Sequence, residues 1–253
     1  MRTRGFTLAE LVVVIAIAGI IAASLAVFFK PAVDSYFDTR RRAEISSIAD
    51  TALRRVGREV RRAVPNSVRL PSGQCLEFVP AKTGGLYRRA ADGVNANSDP
   101  LDNTAADASF DVLSDLSAIP AAGDFVVIGN QNTSDLYAGD TRAAISAWQS
   151  PPAPGGTVVG AGRITLSAAK QFPPAYDGGR FFVVDQNERS LFFACRNVGE
   201  SGGNGTGELL RLTQDFNVAS ACPAAGGVRL ARSVSACNFV YSPGVTQQSG
   251  FVW

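Results

Sequence analysis

Few residues in this chain are equipped for covalent chemistry. Its 253 residues include no histidine, which removes histidine-based triads, imidazole proton relays and histidine-containing zinc sites together. The four cysteines, Cys75, Cys195, Cys222 and Cys237, form no Cys-x-x-Cys pair, so neither a redox nor a zinc motif is present. Their even number suits two disulfides in an oxidising compartment, with three connectivities open. The most local choice joins Cys222 to Cys237 and leaves Cys75 to Cys195. The 22 acidic residues could supply a carboxylate pair, but no motif selects one. No catalytic residue, metal ligand set or cofactor is expected. The titratable group in an unusual place is Glu10.

Glu10 opens an apolar segment. From Leu11 to Phe29 there are nineteen residues without a charge. At ~1.5 Å per residue they make a helix of roughly 28 Å, close to a hydrocarbon thickness of ~30 Å. An ionised carboxylate deep in such a segment costs ~2.5–3.5 kcal/mol, so Glu10 needs a partner or a purpose. A cut after Gly5 would create a cationic amine on Phe6, within reach of Glu10 in a neighbouring helix. That pairing would neutralise both charges and fix axial register. The plainer alternative is a signal-anchor with Glu10 at the membrane interface. Arg2 and Arg4 place the N-terminus on the cytoplasmic side and the remainder outside. They also account for the formal charge of +2, leaving the rest near neutral.

The run Gly5-Phe6-Thr-Leu-Ala-Glu10, followed by the uncharged stretch, resembles the N-terminus of type IV prepilins and type II secretion pseudopilins. The resemblance implies cleavage after Gly5 by a prepilin peptidase, N-methylation of Phe6, and a role for Glu10 in methylation and subunit docking. Further along, Arg54-Arg-Val-Gly-Arg-Glu-Val-Arg-Arg-Ala-Val-Pro-Asn-Ser-Val68, Cys75-Leu-Glu-Phe-Val-Pro80, Leu210-Arg-Leu212 and Ser233-Val-Ser-Ala-Cys-Asn-Phe-Val-Tyr-Ser-Pro243 resemble minor pilins of the MshO family of the MSHA pilus. PilW-like pilins and J-type minor pseudopilins share the plan. The implied function is pilus biogenesis, at the tip or in priming assembly. The alternatives are a type II secretion pseudopilin, or a tip adhesin or DNA-binding minor pilin. Implied partners are major and minor pilins, the prepilin peptidase and an inner-membrane assembly platform. The implied location is the inner membrane, with a periplasmic head, and then the fibre. Relatives run on beyond the stretch matching Gly250–Trp253, so a truncated product or a variant C-terminus is expected.

The elements that must carry these residues follow from periodicity. The expected divisions are a leader (1–5), a membrane helix (6–29), an amphipathic continuation (30–64) and a β-rich head (65–253). Pro31 is expected to kink rather than end the helix, because apolar residues resume at Tyr36/Phe37, Ile45, Ile48, Ala52, Val56, Val60 and Ala63/Val64. Pro65 ends it. The opposite face carries Arg40, Arg41, Arg42, Arg54, Arg55, Arg58, Arg61 and Arg62. Interleaved Asp38, Glu44, Asp50 and Glu59, and the lack of aromatic partners, favour a solvated face or subunit contact. Nucleic acid is therefore not an expected partner.

Strands are expected at Val68–Leu70, Cys75–Val79, Phe125–Ile128, Ile164–Ser167, Phe181–Val184, Leu191–Cys195, Leu209–Leu212, Val228–Leu230 and Asn238–Tyr241. Phe181–Val184 reads as a central strand under the helix, forming a hairpin with Leu191–Cys195. Residues 88–124 read as a polar insertion, 149–162 as an exposed loop, and Gly202–Gly207 as a hairpin tip. The Asp/Asn spacing near Asp92 reads as a turn rather than a calcium loop. The fold class is α+β and type IV pilin-like: a long N-terminal helix packed on a mainly antiparallel sheet.

Overall fold

A computed structural model describes residues 7–151, 159–174, 178–244 and 251–252. The chain divides into two compact units, 1–51 and 52–253. Helix α1 (Leu8–Val60) runs through the boundary with Pro31 inside it, so the proline does not end the helix. Residues 7–51, nearly all exposed, form the described part of the first unit.

The second unit begins with the end of α1. It continues through β1 (Arg69–Ser72), β2 (Cys75–Phe78), β3 (Thr83–Leu86), β4 (Asp107–Val112) and β5 (Phe125–Ile128). A short helix α2 (Thr133–Ala138) leads to β6 (Arg142–Gln149), β7 (Gly162–Lys170), β8 (Arg180–Val184) and β9 (Ser190–Arg196). The chain then forms β10 (Glu200–Ser201), β11 (Asn204–Gly205), β12 (Gly207–Gln214), β13 (Val228–Val234), β14 (Tyr241–Ser242) and β15 (Phe251–Val252). Two larger sheets result, in the orders β1-β2-β9-β12-β13 and β3-β8-β5-β6-β7-β4. Strand pairings are antiparallel in both. The architecture is the expected α+β, type IV pilin-like one.

The six-stranded sheet closes on itself. Beyond β3 and β4 its edges meet through a Tyr87–Val112 bridge, with Leu113 N–H donating to Leu86 O at 2.8 Å and Arg88 N–H to Asp111 O at 2.9 Å. Closure leaves neither outer strand with a free edge there. Period-two alternation sends Phe110, Val126, Ile128, Phe181 and Val183 inward to one core. It sends Val127 and Val184 outward, against Val64, Val79, Leu136 and Tyr137. Glycines permit the closure: a Cβ on Gly85 would collide with Ser114 Oγ, and one on Gly84 would lie 2.9 Å from Phe181 O.

The five-stranded sheet is covered on both faces. Cys75 pairs in register with Ala194, and Leu76 with Phe193, so Cys75 and Cys195 point to opposite faces. On one face Leu76, Phe78, Leu191, Phe193, Cys195 and Leu209 pack with Ala52 and Val56 of α1. On the other, Cys75, Phe192, Ala194, Leu210 and Leu212 cluster beneath loop 215–227. That loop is held by Arg69, which donates to Asn217 O and Val218 O at 2.6 and 3.1 Å, and by Arg196, which donates to Pro223 O at 2.6 Å.

Face parity corrects the expected cysteine pairing. The disulfides are Cys75–Cys222 and Cys195–Cys237, not Cys222–Cys237 and Cys75–Cys195. Each strand cysteine is tied to the segment covering its own face. Two other expectations also change. The segments β8 and β9 are no hairpin; they lie in different sheets, and the turn at Asp185–Arg189 carries the chain between them. Although β8 is central, between β3 and β5, the helix end lies on β2, β9 and β12 instead.

Strands β3, β4 and β6 and helix α2 fall where none was expected, β4 inside the presumed polar insertion. Of Asn238–Tyr241 only Tyr241 enters a strand, because the Cys237 bridge ties the segment to Cys195 of β9 and a 2.6 Å bond from Phe239 N–H to Gly73 O holds it to the turn before β2. Gly202 and Gly203, at φ 57° and 76°, do form the tip of the β10–β11 hairpin. Near Asp92, the carboxylate accepts from the N–H groups of Val94 and Asn95 and so builds a turn.

Non-reducing peptide mapping is expected to recover Cys75 with Cys222 and Cys195 with Cys237. A Cys75–Cys195 peptide would show that the two side chains share a face after all. The Cys195→Ser/Cys237→Ser variant should lose about 2–4 kcal/mol in denaturant unfolding, since its bridge closes a loop of 42 residues.

Candidate functional site

The residues singled out at the N-terminus lie partly outside the described structure. Gly5 and Phe6 do so entirely; Thr7 is the first described residue. Its hydroxyl accepts from the Glu10 N–H at 3.3 Å, and its carbonyl from the Leu11 N–H at 3.2 Å. Thr7 thereby occupies part of the first turn's unsatisfied hydrogen-bonding capacity. Glu10 stands in the first turn of α1, where the helix dipole favours a negative charge. Its side chain is exposed.

Behind Glu10 the helix is apolar on every side. Leu11, Ile15, Ile20, Leu25 and Phe28 are all at least half exposed. The helix is long and apolar enough to cross a membrane. Ser24, a polar residue within this stretch, donates to Ile20 O at 2.8 Å, satisfying its hydroxyl inside the helix.

In the second unit, the last turns of α1 meet the sheet through two kinds of contact. Ala52 and Val56 are buried, with Val60 and Ala63 packed beside them. Next to this apolar seam, Glu59 accepts from Arg211 Nε at 2.7 Å and from Arg55 Nε at 2.9 Å. Arg211 also donates to Glu188 at 2.7 Å. Burial works against the charge on Glu59, but the hydrogen bonds and charges of Arg211 and Arg55 outweigh it and hold its carboxyl below the ordinary value of 4.5.

Three buried carboxylates fasten the rest of the head. Arg69 donates to both oxygens of Glu77, from Nε at 2.6 Å and from one Nη at 2.9 Å, while lying 3.6 Å from the centre of the Tyr137 ring. Burial, then the Glu77 charge, pushes the Tyr137 hydroxyl far above its usual range; the hydroxyl donates to Ser67 O at 2.8 Å. Asp111 takes Arg88 at 3.2 Å and Arg163 at 2.9 Å. Lys82 bonds Asp124 at 2.8 Å. These are structural pairings. No cluster of three or more potential metal ligands occurs among the described residues.

Glu10 lies in the first unit and the four cysteines in the second. The Glu59–Arg211 clasp was not expected from sequence. Its trace is a lone glutamate in an arginine-rich helical run, and an arginine on the helix-facing side of Leu210-Arg-Leu212.

Glu59→Gln should destabilise the head by about 1–3 kcal/mol near neutral pH. Because the folded value is depressed, the contribution of Glu59 is complete above 4.5 and fades as pH falls through the lower, folded value. Urea unfolding across that range should show a steeper acid loss for the native chain than for the variant. Equal slopes would count against the clasp.

With this geometry in place, residues 1–26 match the family model for the prokaryotic N-terminal methylation motif. No curated protein and no solved structure matches the chain. The motif and the apolar helix it overlaps fit membrane anchoring. Together with the α+β head, the motif indicates a type IV pilin-like, prepilin-type protein.

Proposed function

We propose that this chain is a minor pilin of the MshO kind, acting in pilus biogenesis at the tip or in priming assembly. The observation that carries the reading is Gly5-Phe6 set just before Glu10 and nineteen uncharged residues, within the matched motif. A prepilin peptidase cuts after Gly5 and methylates the new amine of Phe6. Before assembly the protein rests in the inner membrane, N-terminus cytoplasmic and head periplasmic. On the assembly platform the helix joins those of other pilins, where Glu10 of one subunit meets the amine of another. Charge neutralisation in lipid then fixes how far one helix slides past the next. A two-sheet head is bulky to repeat along a shaft, which supports a terminal position. The disulfides suit an oxidising compartment.

N-terminal sequencing and intact mass of the protein purified from its membrane should give N-methyl-phenylalanine at Phe6. Gly5→Ala should retain Met1. An uncut native chain in cells with active peptidase would sink the proposal. Glu10→Val should still be cut, yet fail to enter fibres. Immunogold labelling should mark fibre ends; uniform labelling along the shaft would remove the tip assignment.

A further inference from the structure

A cleft on the head has no assigned role. Two depressions, of about 340 and 670 Å³, lie side by side on β8 and share Arg180 and Phe182 in their walls. The smaller has an apolar floor of Val64, Val127 and half-buried Phe182. The larger passes Arg61, Arg62 and Lys82 and crosses Gly84 and Gly85, which lack side chains to fill it.

The cations differ in how they are used. Lys82 is held by Asp124 and Asp185, at 2.8 and 3.4 Å, and Arg62 donates to Ala81 O at 3.2 Å. Arg61 is exposed, and its side chain makes no ion pair or hydrogen bond with another described residue. Arg61 lines the larger depression, which shares Phe182 with the apolar floor of the smaller one, and such a guanidinium is complementary to a carboxylate beside an apolar group.

We propose that this cleft docks an acidic, extended segment of a partner protein. An apolar side chain would settle on Val64, Val127 and Phe182, with a neighbouring carboxylate on Arg61. A nucleic acid is the poorer fit. Lys82 and Arg62 are already engaged by Asp124, Asp185 and the Ala81 carbonyl, which leaves too little free cation for a continuous phosphate chain, and Phe182 alone offers no ladder for stacking bases. The inference rests on the head and not on how the N-terminus is processed.

The test uses the full-length protein in detergent and a short fluorescein-labelled peptide with one phenylalanine flanked by aspartates. Fluorescence anisotropy should show binding that weakens about tenfold when the aspartates become asparagine, and similarly when the phenylalanine becomes glycine. Arg61→Glu should weaken it about tenfold, while Arg58→Glu, the same charge change one turn earlier, should alter it less than about twofold. Equal losses for both variants would reduce the effect to general electrostatics and overturn the proposal. So would absence of binding, or tighter binding of single-stranded DNA of equal charge. Because the peptide changes leave the protein untouched, misfolding cannot imitate a positive result. An uncut N-terminus would leave the outcome unchanged, so failure here and failure of the pilin reading are separable.

Discussion

Strand β9 is buried on both faces, from Ser190 to Cys195, and what must lie above and below it organises the second unit. A strand with apolar side chains in both directions needs two covers. One is the end of α1, seated through Ala52 and Val56 on Leu191, Phe193 and Cys195. The other is loop 215–227, an irregular segment that cannot satisfy its backbone with a ladder. It is therefore held from below, by guanidinium groups on its carbonyls and by the bridge from Cys75 to Cys222. Removing either cover would expose a face of the same strand.

The closed sheet solves a different problem. Its interior is filled by alternating side chains, among them the edge-to-face pair Phe110–Phe181 at 5.8 Å. Outside it, Val64, Tyr137 and Val184 link it to the segment leaving α1. Fully buried Glu77 meets Arg69 of the adjacent strand, while fully buried Asp111 and Asp124 meet cations from distant parts of the chain. Such pairs add little net stability over apolar packing, but a wrong register would strand a charge. They therefore penalise arrangements that separate the partners.

The N-terminus was the most legible part of the sequence, because a carboxylate ahead of nineteen uncharged residues has few physical explanations. Phe125–Ile128 was legible to the residue, being a short apolar run between turns. What escaped depends on contacts between distant residues. Thr83-Gly-Gly-Leu86 looks like a turn until Ser114 is seen against Gly85. Asp111 disguised β4 as polar, its burial made possible by Arg88 and Arg163. The hydrophobic runs of β8 and β9 do not reveal that they serve separate cores. Nor can cysteine spacing reveal which face of a sheet each thiol occupies. The Asp-rich character of 88–124 correctly suggested turns around Asp92, though not the strand that follows.

The placement of the two disulfides has a mechanical consequence. A load drawn along α1 enters the head at Ala52 and Val56 and passes to β9 and β12, with the Glu59–Arg211 clasp beside that seam. From there, covalent bonds lead off in both directions across the sheet, Cys195 to the segment at Cys237 and, from adjoining β2, Cys75 to the loop at Cys222. Tension that would otherwise peel these coverings away, one hydrogen bond after another, is met by sulfur–sulfur links that do not yield at the same force. The head is thus reinforced where its backbone is least regular.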